Sequence, residues 1–579
     1  MSFNKYFQDE LSYLRELGKE FSDANPQLAP FLGERGSDPD VERLLEGFAF
    51  MSGRLTQRLN DQVPELTHSM IEMMWPHYLR PMPSMSLIEF KPLPNALDGM
   101  RTIKRGVELD SKPVEGTACR FRTCYDVDMM PMTVSKVQLK QDVKSSKLAL
   151  TFRLDPGLTL SQLNPDKIRL FINADPVISQ TLYLWMQRYL KKVTVSSANS
   201  EVLLPTNSIK PVGFGNNESL FDYSDNVFAG YRLLQDYFVL PEKFLFIDII
   251  NLKGVKNIGN EFTVEMGFER TMDEHIRIKA SMFKLHVTPV TNLFTRDADP
   301  IRLDHQSMEY RIRPSGRNSS HFDIFSIDKV ESRSQGMSSS RIYSSAASFK
   351  HVDSQSNIVG HYQKRLKSSV VNRGFETYIT FGGQKNVSEK LSKETISLEL
   401  TCTNRQLPEK LKVGDICVPT ATSPEFVTFG NITSPTAPVY PVLGEGLQWQ
   451  LISNMSLSYS SLTNPDMLRK VIAAYDFKAL TDRTAERRLN LKLEGIKDIK
   501  VESGDRLIKG HPIRGLSIKM LLKESNFTSD GDMYLFASVI NEFFSLYASI
   551  NSYHQLTVIG EERGEHYQWP LKMSLQPIL

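Results

Sequence analysis

Residues 36–50 read GSDPDVERLLEGFAF and set three carboxylates, Asp38, Asp40 and Glu42, at every second position before an apolar run. Acids this close could bind a metal or share the proton work of a hydrolase. A metal site wants several converging ligands, however, and two acids two residues apart on a helix point away from each other. Asp38-Pro39 instead has the chemistry of a helix start. The Asp carboxylate accepts from free backbone N–H groups, and proline suits the first helical position, where no N–H is needed. Asp40 and Glu42 then fall in the first turn, where the helix dipole favours negative charge by about 0.3–1 kcal/mol each. The acids read as a helix cap (Asp38, Pro39) and a charged first turn.

Other chemistry-bearing patterns are sparse. No histidine is followed by glutamate, so the zinc-protease helix HExxH is absent, as are a Walker-type GKS or GKT and a GxSxG nucleophile elbow. Gly213-Phe-Gly215-Asn-Asn-Glu218 has two glycines of a dinucleotide loop but a glutamate in place of the third, and Gly444-Glu-Gly446 fails in the same way. Cys119 and Cys124 bracket Arg-Phe-Arg-Thr; five residues of separation puts them on opposite faces of a strand, the wrong geometry for a shared zinc. His275 and His286 are the best histidine pair, but their surroundings read as strands. The expectation is no catalytic residue, no metal and no cofactor. A cytoplasmic hydrolase with an active site assembled from distant segments is the alternative.

The elements around these residues fall into regions. Phe3, Phe7, Leu11, Leu14 and Phe21 line one face of a helix that breaks at Asn25-Pro26. The helix after Asp38 carries a narrow stripe, Val41, Leu44, Leu45, Phe48, Met51, Leu55 and Leu59, and reaches Asp61 at about 30–35 Å. That is the pattern of a bundle or coiled-coil contact, and equally of an ordinary core helix. Pro64 starts a shorter Met-rich helix that stops at Pro76. From about 85 the period becomes two: 86–90, 147–154 and 167–172 read as strands and 244–250 as a buried strand, with helices at about 177–191 and 229–237 between. Ten serines between Ser332 and Ser356 suggest a loop or linker. After Gly531, Met533, Phe536, Ala537, Ile540, Phe544 and Tyr547 share a helical stripe, with Asp532 as the expected N-cap. The predicted organisation is α+β and multidomain: 1–82 helical and bundle-forming, 83–315 β-rich with inserted helices, 316–378 a Ser-rich linker, and 379–579 mixed α/β.

Composition agrees with a protein of contacts. The 579 residues exceed what one core holds, and 69 Lys plus Arg nearly balance 67 Asp plus Glu, a net charge of +2 that argues against nucleic acid. Four cysteines are too few for a disulfide scaffold. The first residues, MSFNKYFQDEL, are no secretory signal, and no apolar run nears the ~20 residues of a membrane span. The chain reads as cytoplasmic.

Its words are also familiar. Glu34-Arg-Gly-Ser-Asp-Pro-Asp-Val-Glu-Arg-Leu-Leu-Glu-Gly-Phe-Ala-Phe50 resembles the N-terminal signature of the TssF family (also ImpG or VasA), baseplate subunits of the type VI secretion system. The resemblance continues through Pro64-Glu-Leu66, Trp75-Pro-His-Tyr-Leu-Arg-Pro81, Gly230-Tyr-Arg-Leu-Leu-Gln-Asp-Tyr-Phe238, Pro241-Glu-Lys-Phe244, Asn292-Leu-Phe294 with Asp299-Pro300, Cys402-Thr-Asn-Arg-Gln-Leu-Pro408, Trp449-Gln-Leu-Ile452, Arg514-Gly515 and Ile550-Asn551. Trp75 and Ser458 depart from it, and the serine stretch at 332–356 matches nothing in it. The resemblance implies a structural wedge subunit similar to contractile-tail wedge proteins. Two copies would join one TssG-like subunit through a helix bundle, with TssK-like and TssE-like subunits attached. Such wedges surround the spike hub and carry the sheath and tube. The stripe Val41–Leu59 is then the expected partner-binding face. Arg232 within GYRLLQDYF is a candidate for a buried charge-assisted hydrogen bond to a carboxylate or carbonyl.

Overall fold

The computed structural model describes residues 3–24, 39–441 and 464–573, less 95, 198–199, 224–228, 255–259, 273–275, 305, 317, 335–339, 348–357, 370–373, 383–393, 509 and 548–551. Asp38, His275 and Gly444-Glu-Gly446 lie outside the described residues. The chain divides into two compact units near Leu79.

The first unit is helical. Helix α1 spans Phe3–Ala24 and α2 spans Pro39–Met74, followed by a 3₁₀ turn at Pro76–Leu79. The break predicted at Pro64 does not occur: α2 is one helix of 36 residues, about 54 Å long. Pro64 removes a single N–H from the ladder, and the regular turns on both sides carry the helix through. The two helices run antiparallel, tied by Arg15 to Glu42 and, further along, by Ser52 Oγ donating to Glu10 at 2.9 Å.

The second unit is β-rich. A six-stranded sheet runs in the order 416–419, 108–111, 120–123, 287–291, 85–92 and 427–431. Its core holds Ile88, Phe90, Leu109, Phe121, Val290 and Ile416. Five-stranded (200–204, 190–197, 261–268, 146–154, 132–141) and four-stranded (209–211, 246–250, 167–172, 283–285) sheets follow. Alternation is visible in Ser146–Leu154, where Leu148, Leu150 and Phe152 are buried between more exposed neighbours.

An eight-stranded sheet takes in 294–297, 301–303, 310–311, 323–334, 341–345, 358–368, 375–382 and 394–403. Most of the described residues of the predicted linker at 316–378 lie in these strands, while 335–339 and 348–357 of its serine-rich stretch lie outside the described residues. Phe325 and Val330 are buried, and Asp323–Ser334 pairs along nearly its whole length with Glu394–Thr403. Serine supplies little apolar area, but a strand needs only one inward face, and the partner strand supplies its hydrogen bonds. The short basic run Lys364–Lys367 lies on another of these strands, with Arg365 and Lys367 paired to Glu309.

Four more helices that bear on the site are α3 (Pro176–Arg188), α4 (Ala229–Val239), α5 (Pro465–Ala473) and α6 (Arg483–Glu494). Helix α7 (Asp530–Tyr547) packs against α3 and α4 and is buried all round, with Leu535, Val539 and Phe543 as deep as the predicted stripe. Its cap is Ser529, which accepts the Asp532 N–H at 3.1 Å, while Asp532 reaches back to the Thr528 N–H. The N-cap expected at Asp532 thus sits three residues earlier, and Asp532 takes the third helical place, its carboxylate closing back on Thr528, the residue before the cap. A hairpin of Ile496–Ile508 and His511–Leu522, followed by Tyr553–Gly560, forms the C-terminal sheet. Among the described residues no helix is long and apolar enough to cross a membrane.

Candidate partner-binding face

Helix α2 begins at Pro39 with Asp40 and Glu42 in its first turn, so the acids sit where the dipole favours them. Glu42 turns to Arg15 of α1, and Arg43 lies 3.7 Å from Asp40. At 3.6 residues per turn, Glu42, Leu45, Ala49 and Ser52 share the side facing α1. Ala49 and Gly53 are the only fully buried residues among the described side chains between 40 and 54. Val41 and Leu45 are half-buried at the margin. The rest of the predicted stripe is turned to water: Leu44 is 74%, Phe48 63% and Met51 67% exposed. Leu55 and Leu59 continue that face by position, but their side chains lie outside the described residues.

The stripe is therefore wider than α1 can cover. Among the described side chains of α1 and α2, Ala49 and Ile71 are the buried apolar ones, and an amphipathic helix is stable only when its apolar face is packed. The exposure continues elsewhere in the hairpin. Tyr13 and Leu17 on α1, and Met70, Met73 and Met74 near the end of α2, are all exposed. Sequence reading marks 64–75 as Met-rich but does not assign those methionines to a contact face. Their i, i+3, i+4 spacing is the available signal.

The groups able to do chemistry are consumed inside the fold. In the loop at 213–218, Gly213 (φ +102°) bends the backbone so that Glu218 Oε2 accepts N–H groups from Gly213 (2.7 Å) and Gly215 (3.1 Å). The glutamate in the third-glycine position thus fills the anion nest that a phosphate would need. Arg169 binds Glu218 and, in a two-point contact, Asp248. Arg232 is buried and donates to the carbonyls of Phe214, Gly215 and Asn216, the partners its position called for. Four residues on, Asp236 is wholly buried against Lys243, also wholly buried; burial draws the Lys243 pKa down against the pull of Asp236. Lys492 of α6 donates to Asp532 of α7 (2.7 Å) and to the Tyr237 hydroxyl of α4 (3.1 Å). Burial opposes its charge, but Tyr237 and Asp532 outweigh it and raise the pKa.

Three of the cysteines and His286 are likewise closed in. Burial pushes the thiols of Cys119, Cys124 and Cys402 up to about 12, so they stay protonated. His286 is buried, accepts the Met130 N–H on Nε2 at 3.1 Å, and is pushed down to about 4. A cavity of about 520 Å³ beside it is lined by Phe90, Met132, Val134, Phe283 and Leu285; of its two carboxylates, Glu89 and Asp155, the first is bound to Lys284 at 2.8 Å. Among the described residues no group of three or more His, Cys, Asp or Glu could hold a metal ion.

Similarity to known proteins runs through nearly the whole chain. The family model described as "Type VI secretion system, TssF" matches residues 1–576. A type VI secretion system component of Pseudomonas aeruginosa, TssF1, is 27% identical over 99% of both chains. Among solved structures, a chain of the type VI secretion system TssK-TssF-TssG baseplate subcomplex, determined by cryo-electron microscopy, superposes with a TM-score of 0.80 at 30% identity, covering 93% of this chain and 99% of that one. A chain of the baseplate complex from the type VI secretion system gives 0.62 at 26% identity over the whole of both. The chain belongs to the TssF family of type VI secretion system components.

Proposed function

We propose that this protein is a structural wedge subunit of a type VI secretion baseplate, acting in the cytoplasm by protein–protein contact and without catalysis, metal, cofactor, nucleic acid or membrane insertion. The observation that carries the reading is the exposed apolar face of α2, Leu44, Phe48 and Met51, on a helix pair that cannot bury it. In the proposed arrangement α1 and α2 enter a helix bundle with a TssG-like subunit and a second copy of this chain. TssK-like and TssE-like subunits join that wedge, and wedges meet the spike hub and support the sheath and tube. Support comes from the related chain solved with TssK and TssG and from the internal pairing of the groups that could otherwise do chemistry. Co-expression with a TssG-like subunit should yield a stable complex holding two copies of this chain. Failure to copurify across a range of salt concentrations would defeat the proposal.

A further inference from the structure

The hairpin of Ile496–Ile508 and His511–Leu522 is paired along its full length, from Ile496 opposite Leu522 to Ile508 opposite His511. Its neighbour, Tyr553–Gly560, pairs only with Gly515–Leu522. Beyond Gly515 the hairpin is a two-stranded ribbon, an arrangement marginal in water by itself. Ile496–Ile508 is also the end strand of its sheet among the described residues. Leu507, near the tip, is 79% exposed. Long edges are ordinarily blunted by proline, bulges or charged side chains; here no proline interrupts the strand, and its one irregularity lies between Ile496 and Asp498. Its charges, among them Lys500, Glu502, Asp505 and Arg506, are of both signs, so they repel a neighbouring strand in some registers and match it in others.

We propose that this edge is a homotypic docking strand, pairing antiparallel with the same strand of a second copy of the chain about a two-fold axis at Gly504. The order of charges selects both the occupant and the register. A two-fold normal to the sheet keeps opposed side chains on matching faces only when it passes through a residue. An axis at Lys500 would set Asp498 against Glu502. Axes at Glu502, Asp505 and Arg506 would oppose each of those charges to itself, and one at Ser503 would set Lys500 against Arg506. Like charges directly opposite are destabilising. An axis at Gly504 instead sets Glu502 of one copy against Arg506 of the other, and Val501 against Leu507, each pair occurring twice. Glycine leaves the crossing point free of side chains. Axes at Val501 and Ile499 also match charges, Lys500 with Glu502 and Asp498 with Lys500, but both leave Leu507 beyond the overlap. So short a strand pair is weak between free chains and gains strength when two copies are held in one assembly. The edge is separate from α1 and α2, so either contact can fail without the other.

The test uses the full chain carrying Gly504→Cys under mild oxidation. Opposed Cα atoms in an antiparallel pair lie about 4.5–5.5 Å apart, within disulfide reach. A Cβ at 504 meets only the Tyr553 hydroxyl, at an ordinary 3.5 Å. The expected result is a disulfide-linked dimer several-fold above wild type, where half-exposed Cys417 sets the background. Val501→Cys chains should cross-link to Leu507→Cys chains and not to themselves. Glu502→Arg should abolish the Gly504→Cys cross-link, and adding Arg506→Glu should restore it. The proposal is overturned if Gly504→Cys and the mixed pair stay at background, if Val501→Cys links to itself instead, or if the Gly504→Cys chain captures a different subunit in the purified complex.

Discussion

Phe48→Asp separates a partner face from a core face. Phe48 is 63% exposed in the single chain. A phenylalanine brings about 200 Å² to an interface, so roughly 130 Å² of it awaits burial. At ~25 cal/mol per Å² that is about 3 kcal/mol, somewhat over two orders of magnitude in Kd. Aspartate adds the cost of desolvating a charge without a partner, which deepens the loss. In the isolated chain the same position faces water, where a substitution shifts stability by only about 0.5 kcal/mol. Ala49→Asp is the opposite case: it places a charge at a buried position facing α1 and should destabilise the chain itself. Thermal unfolding of each isolated variant, run beside copurification with a TssG-like subunit, reads both quantities. Undiminished copurification of Phe48→Asp would refute the argument, and so would a melting temperature lowered as far as that of Ala49→Asp.

Two further outcomes follow from groups inside the fold. His286 and His554 are both held at about 4 by burial, against an ordinary 6.5, with Lys572 adding to the effect at His554. Each is neutral in the folded chain and takes a proton when unfolded, so its contribution is full above about pH 6.5 and is lost as pH falls toward 4. At pH 5 each should cost roughly 2 kcal/mol. Urea midpoints at pH 7.5 and 5 should therefore converge in a His286→Asn, His554→Gln variant; an unchanged gap would reject the assignment. Lys243→Met should cost about 3–5 kcal/mol by leaving the Asp236 carboxylate in the interior without the Lys243 charge, and Lys243→Met with Asp236→Leu should recover much of it. Denaturant midpoints of the three chains decide this, and a double variant weaker than the single one would count against it.

The sequence carried local periodicity well and long-range pairing poorly. Helices α1, α3, α4 and α7 and strands such as Lys167–Ile172 announce themselves by spacing, because each buries a face that repeats every 3.6 or 2 residues. Pro64 misled because proline weakens a helix without having to end one. The strand Asp323–Ser334, where the serine-rich stretch begins, was invisible to composition, since its partner strand Glu394–Thr403 lies far along the chain. The apolar stripe of α2 could be read, but not its division into a side covered by α1 and a side left open. That division depends on where Arg15 and Glu10 come to lie. Lys243 and Asp236 likewise give no sign in sequence that they meet in a dry interior.

The six-stranded sheet sets a timetable for synthesis. Met85–Pro92 is flanked by 287–291 on one side and 427–431 on the other, and Ser86 Oγ donates to the Thr433 carbonyl across 347 residues of chain. Ribosomes add about 5–20 residues per second, so this strand emerges roughly 20–70 s before the far neighbour that completes its ladder. Through that interval one edge of a strand carrying Leu87, Ile88 and Phe90 stands open, the condition that invites mispairing. The growing chain must shelter this edge for most of the time the ribosome spends on it.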